Sequence, residues 1–243
     1  MTSMTPEEFT KFISVDNTSG RLPAMVCRYG EDIRRFLTEY CAEAQKNGAI
    51  IAGGLANPTP EQLKYYTEMA GQDFRMDAEF FQCVIGKLLP GCKANKKERL
   101  AEAMLGMFTK LQKEGKTAGA LKNTFVKFMC WMYYRLGSLM EQNGNASAVL
   151  YEGEPSTYGF LFLRALCLAG CSVVILSRDR DAFFKTSGAK EDETLEIVPT
   201  NPEPFPDKFG VRSIMDEIVK KRRITVPSST IIPQSSMYPT PCT

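Results

Sequence analysis

AVLYEGEPSTYGFLFLRALCLAGCSVVIL, residues 148–176, is the stretch that decides the reading of this chain. An apolar run, 148–151, meets a small polar turn. An apolar helical segment follows, closed by Gly170, and then a β-branched run, 172–176. Short apolar runs bounded by turn residues and joined by a helical segment read as strand, crossover helix and parallel strand. In such a unit a ligand sits beyond the carboxyl end of a strand, where the next helix begins. Here that point is the turn Glu152, Gly153, Glu154, Pro155, Ser156 and Thr157.

The turn lacks Gly-x-Gly-x-x-Gly and the Walker A spacing, so neither standard phosphate-loop fingerprint is present. It still opens a helix. Ser156 or Thr157 is placed to cap that helix, and first-turn amides together with the helix dipole attract phosphate or carboxylate. The same hydroxyl serves equally well as a cap and nothing more. Glu152 and Glu154 disfavour a free anion and suit a ribose hydroxyl, a metal-bridged phosphate, or no ligand. Asp179, just after the second run, stands where an acidic residue takes a ribose hydroxyl in dinucleotide folds. Its surroundings, Arg178-Asp179-Arg180-Asp181, are also what a solvated loop looks like.

The 243 residues carry no histidine. That removes the commonest general base and the commonest nitrogen ligand, and excludes Ser-His-Asp, Cys-His and His-ligated zinc chemistry built from this chain alone. General acid–base work would fall to Glu, Asp, Lys, Tyr or Cys, the nearest being Glu152, Glu154, Tyr158 and Asp179. The eight cysteines form no Cys-x-x-Cys pair, and most lie inside apolar helical patterns. Reduced structural thiols in a cytoplasmic protein are expected. A formal net charge of +2 supplies no field for nucleic acid or an acidic membrane, and no apolar run is long enough to span a bilayer.

Upstream, helical periodicity dominates. Thr5-Pro6-Glu7-Glu8 and Thr59-Pro60-Glu61-Gln62 are capping boxes with proline at the first helical position. Apolar stripes mark helices near 31–46, 60–69, 78–89, 96–113 and 120–142. The residues 49–54 read as a very short strand or a loop. Downstream, 195–199 reads as a third short strand and 210–221 as a helix ending in the basic cluster 220–223. The expected fold is therefore α/β, a helical N-terminal half leading into a Rossmann-like parallel-sheet lobe. Its parts are a mainly helical region 1–145, an α/β unit 146–225, and a Pro/Ser/Thr-rich tail or arm 226–243.

FVKFMCWMYYRL (125–136) and the block 148–176 resemble the bacterial YceG-like family, found alongside tellurite-resistance (Ter) proteins. The carriers are Lys127-Phe128-Met129-Cys130-Trp131, a strand ending Leu150-Tyr151-Glu152-Gly153, and a Leu-rich helix closing on Gly170-Cys171. RLPAMVCRYG (21–30) and FPDKFGVRS (205–213) fit the same pattern more loosely. Tyr158-Gly159 departs from the more polar helix start of that family. The resemblance implies a cytoplasmic component of a stress-response or biosynthetic module concerned with a nucleoside-like metabolite, with no assigned reaction or cofactor. The expectation that results is a protein binding a nucleotide or phosphorylated metabolite through Glu152, Gly153, Glu154, Ser156, Thr157 and Asp179. The alternative is a non-catalytic assembly protein of the same system, meeting a protein partner through its C-terminal tail, with membrane contact excluded and nucleic acid disfavoured.

Overall fold

The computed structural model describes residues 2–14, 22–71, 73–141 and 147–225. Its first elements are strand β1 (Thr2–Met4), helix α1 (Pro6–Ser14), strand β2 (Ala24–Val26), helix α2 (Glu31–Asn47) and strand β3 (Gly48–Ala52). Four helices follow: α3 (Pro60–Ala70), α4 (Ala78–Leu88), α5 (Ala94–Lys113) and α6 (Ala118–Glu141). The chain then forms β4 (Ala148–Glu152), α7 (Thr157–Leu168), β5 (Ser172–Leu176), α8 (Arg180–Ser187), β6 (Leu195–Ile197) and α9 (Val211–Thr225).

Local chemistry accounts for most helix starts. Thr59 and Gln62 form the full capping box expected of α3, and Asp77 caps α4 through the amide of Phe80 at 2.7 Å. Thr5 and Glu8 exchange the same pair of bonds at α1. Helix α8 is an addition to the sequence reading: Asp179 accepts from the amide of Ala182 at 2.9 Å, and Gly188 closes the helix in the left-handed region. The 3-residue strands β1 and β2 are also additions.

All six strands are parallel, in the order β1-β6-β2-β5-β4-β3. The fold is α/β with a Rossmann-like parallel sheet. Three of its strands precede residue 145, so the mainly helical region and the α/β unit are joined through one sheet. The chain crosses the sheet in one direction through β1, β2 and β3, then returns through β4, β5 and β6.

That reversal gives the sheet two covered faces. Val149, Tyr151, Val173 and Ile175 face a core shared with α3 to α8. Their neighbours Ala148, Leu150, Val174 and Leu176 face a second core under α1, α2 and α9. Alternation of side chains along a strand sends consecutive residues to opposite cores, so both sets are apolar and the strands read as continuous apolar runs. The tail 226–243 and the turn 143–145 lie outside the described residues.

Tyr40 of α2 fixes the second core against the sheet. It is buried, and its hydroxyl donates to the Ser172 carbonyl at 2.8 Å, with Ser172 Oγ 3.0 Å away. Burial raises its pKa well above the usual tyrosine range, so it stays a neutral donor. Tyr40→Phe leaves the start of β5 without this donor. It is expected to cost about 1–2 kcal/mol of unfolding free energy in a urea titration, with an unchanged m-value.

Candidate functional site

Strands β2 and β5 are neighbours, yet the helices that follow them pack on opposite faces, α2 in the second core and α8 in the first. The chain therefore diverges between them, and this is the crevice where open α/β sheets place ligands. It lies one strand away from the β4–α7 turn.

In this protein the crevice is filled by its own chain. Segment 198–210 crosses it and is held at several points. Asp32 Oδ2 accepts from the amide of Thr200 at 2.8 Å, and the amide of Glu203 donates to the Tyr29 carbonyl at 2.9 Å. Arg178 donates to the carbonyls of Asp207 and Phe209. The Tyr29 ring packs edge-on against Phe209, with centroids 4.8 Å apart, and lies 5.8 Å from that of Phe205. Gly30 permits the approach: a Cβ there would stand 2.7 Å from both the Asn201 carbonyl oxygen and Pro199 Cβ. The glycine serves packing of backbone on backbone rather than contact with a pyrophosphate.

Each acidic or hydroxyl residue singled out by sequence has an assigned place at this edge. Glu152 reaches away from the turn, and its Oε1 accepts from the amide of Val211 at 2.9 Å, capping α9. Glu154 Oε1 accepts from Ser177 Oγ at 3.0 Å, the Asp179 carbonyl being a second acceptor at the same distance. Asp179 caps α8. Ser156 caps α7, accepting from the amide of Gly159 at 3.2 Å. Gly153 holds φ at +107°, a conformation that suits glycine, and its amide donates to the Leu176 carbonyl at 2.9 Å. Thr157 lines a groove between α5 and α7. The structure thus brings Glu154, Ser177 and Asp179 together, sends Glu152 to α9, and turns Thr157 toward the helical layer.

The electrostatics of the edge follow from these contacts. Burial opposes ionisation of Asp32, but hydrogen bonds from Thr200 and Ile33 outweigh it and hold the carboxyl below the usual range. Cys27, just beyond β2, is pushed up to about 12 by burial and by the nearby Glu196 carboxylate. It is a thiol at neutral pH and a poor nucleophile. Glu196 is buried in β6, flanked by Arg28 at 3.6 Å and Arg180 at 4.0 Å. Among the described residues no group of three or more His, Cys, Asp or Glu side chains is placed to hold a metal ion. No helix there is long and apolar enough to cross a membrane.

Helix starts along this edge differ in one respect. Acidic residues occupy the first turn of α1 (Glu7, Glu8), α2 (Glu31, Asp32), α3 (Glu61) and α8 (Asp181), and Glu152 supplies the carboxylate at α9. Helix α7 has a neutral serine cap and no acid in its first turn. A cation stands beside it instead: Lys127 Nζ is 5.9 Å from the centroid of the Tyr158 ring. Sequence reasoning selected this turn by its place after a strand. Its first helical turn carries no acid, a feature shared with α9, whose start is filled by Glu152.

Comparison of the chain with models of known families, with curated proteins and with solved structures finds no match.

Two outcomes test the closed crevice. Gly30→Ala forces apart the Gly30 and Asn201 backbones and is expected to lower stability by about 1–3 kcal/mol. The Asp32 carboxyl sits below its ordinary value in the folded state. Its contribution is therefore complete above the ordinary aspartate pKa of about 3.9 and is lost as pH falls through the lowered value. Urea titrations from neutral pH into that acid range should show wild type losing more stability than Asp32→Asn.

Proposed function

We propose that this protein binds a nucleotide or phosphorylated metabolite at the β4–α7 turn, with the phosphate on the N-terminus of α7. The observation that carries the reading is the bare helix start: of the helices that follow strands, α7 and α9 have no acid in the first turn, and at α9 the Glu152 carboxylate takes the first amide, so α7 is the one whose start is met by no carboxylate hydrogen bond. The amides of Thr157 and Tyr158 have no intrahelical acceptor, and the dipole gives this end about half a positive charge. Lys127 adds a cation beside the same turn.

In this reading the residues divide their work. Gly153 and Ser156 shape the turn and present the amides. Glu154 is bound by Ser177 at the end of β5. Glu152 and Asp179 brace the neighbouring helix starts. The resemblance of residues 125–136 and 148–176 to the YceG-like family supports a setting in a Ter-linked stress-response or biosynthetic module. The function proposed is ligand binding, with no reaction assigned.

Ser156→Asp separates binding from folding. Aspartate caps a helix as well as serine does, so thermal stability should hold or rise. Its carboxylate occupies the helix end and repels phosphate. In calorimetric titration of ADP, UDP and inorganic phosphate, at least one should bind wild type, and Ser156→Asp should weaken it by about tenfold or more. Equal affinity in the two proteins, or no binding to wild type by any of the three, would overturn the reading.

A further inference from the structure

We propose that the outer edge of β3 is a self-association surface, on which a second copy of this chain adds its own β3, antiparallel across a two-fold axis, to make one continuous sheet. The inference goes beyond ligand binding at the β4–α7 turn and does not depend on it.

The two ends of the sheet differ. At one end β1 is three residues long and polar, with Thr2 and Ser3 exposed. At the other end β3 runs for five residues, Gly48-Ala49-Ile50-Ile51-Ala52, and among the described residues β4 is its one strand partner. An edge strand presents a row of backbone donors and acceptors, which proteins blunt with short length, lysine, proline or a bulge. Brevity blunts β1. Strand β3 carries no charge and no proline, and its register with β4 is unbroken from Gly48 opposite Ala148 to Ala52 opposite Glu152.

The side chains of β3 are those of an interior strand. Ala49 and Ile51 pack on the first core and Ile50 on the second, so both faces are apolar. Strands β4 and β5 have the same pattern and are buried almost throughout, whereas in β3 only Ile51 is buried and Ala52 is exposed. A strand apolar on both faces is suited to a place between two neighbours. The strand that would complete it must itself be apolar on both faces, and β3 of a second copy is. Flush antiparallel pairing sets Ile50 opposite Ile50 of the second copy and continues both cores across the axis.

The helical layer at this end supports the same contact. Helix α6 packs on β3 and α3 packs on α6, with Trp131 Nε1 donating to the Ala56 carbonyl just beyond β3 at 2.7 Å. Leu63 and Met69 of α3 and Tyr134 of α6 are three of the five large apolar side chains left exposed among the described residues. A two-fold perpendicular to the sheet at Ile50 turns this layer of one copy toward the same layer of the other. The ladder then supplies backbone hydrogen bonds, and the helices supply apolar area that five paired residues lack alone. The two-fold uses the unprotected edge of each copy, and the doubled sheet ends on β1 at both sides, so association stops at two.

Sedimentation of the full chain tests the inference. The mass should rise from 27.2 kDa toward twice that value as concentration increases from about 1 to about 100 μM. Ile50→Lys and Ile50→Glu each set like charges across the axis and should each stay monomeric, while an equimolar mixture of the two should dimerise. Ile50 is half-buried at the edge, so the long side chains can reach water, and circular dichroism checks that both variants fold. Directly opposed residues of an antiparallel pair lie about 4.5–5.5 Å apart at Cα, within disulfide reach. In a background of Cys83→Ser and Cys242→Ser, mild oxidation should therefore link Ile50→Cys into a covalent dimer and leave Ser3→Cys on β1 monomeric. The inference is overturned if wild type stays at 27.2 kDa throughout, if folded Ile50→Lys dimerises as wild type does, or if Ile50→Cys links no faster than Ser3→Cys.

Discussion

Strand β5 is buried at all five of its residues, and this double burial is the constraint from which the rest of the architecture follows. A strand with both neighbours paired and both faces covered needs helices above and below it. Connections must then leave on opposite sides of the sheet. The chain meets that demand by running out through β1, β2 and β3 and back through β4, β5 and β6. Residues 173 and 175 fill one core and 174 and 176 the other. A single polar residue in that run would lie in one of two dry interiors, where an unpaired polar group is costly.

The same constraint creates the crevice between β2 and β5, and the chain then closes it. Tyr29, Asp32 and Arg178 each take a partner from segment 198–210, and Gly30 lets the two backbones meet. With the usual crevice of a Rossmann-like sheet plugged by its own loop, the proposed ligand site lies elsewhere along the edge. Acidic caps neutralise most of the helix starts there. What is left is α7, whose first turn carries no acid and whose Tyr158 ring faces Lys127.

Much of this was legible in the sequence, and the reasons differ by element. The β4–α7–β5 unit stood out because strands buried on both faces are unbroken apolar runs, and the helix between them ends at Gly170. Helices α3 and α4 announced themselves through Thr59 and Asp77, caps whose chemistry is local. Strand β2 did not, because Ala24-Met25-Val26 is too short for any periodicity and is a strand only by virtue of its partners β5 and β6. Strand β1 is polar and lies at the edge, paired only with β6. Among site residues, the hydroxyl of Ser156 could be placed at a helix start, but the pairing of Glu152 with α9 spans 59 positions and has no sequence signature. The groove was invisible for a related reason. Met107 and Leu161 belong to ordinary helical stripes, and only the packing of α5 beside α7 leaves a gap between them.

The proposed site places an anionic ligand at the start of α7 and not in the crevice between β2 and β5. Backbone-amide NMR spectra recorded during titration with ADP test it most directly, because each helix start reports separately. With the ligand on α7, the amides of Thr157 and Tyr158 shift, those of Gly153 and Gly159 follow, and those of Gly30, Asp32 and Ile33 stay in place. Shifts centred on Gly30 to Ile33, with Thr157 and Tyr158 unmoved, would contradict it.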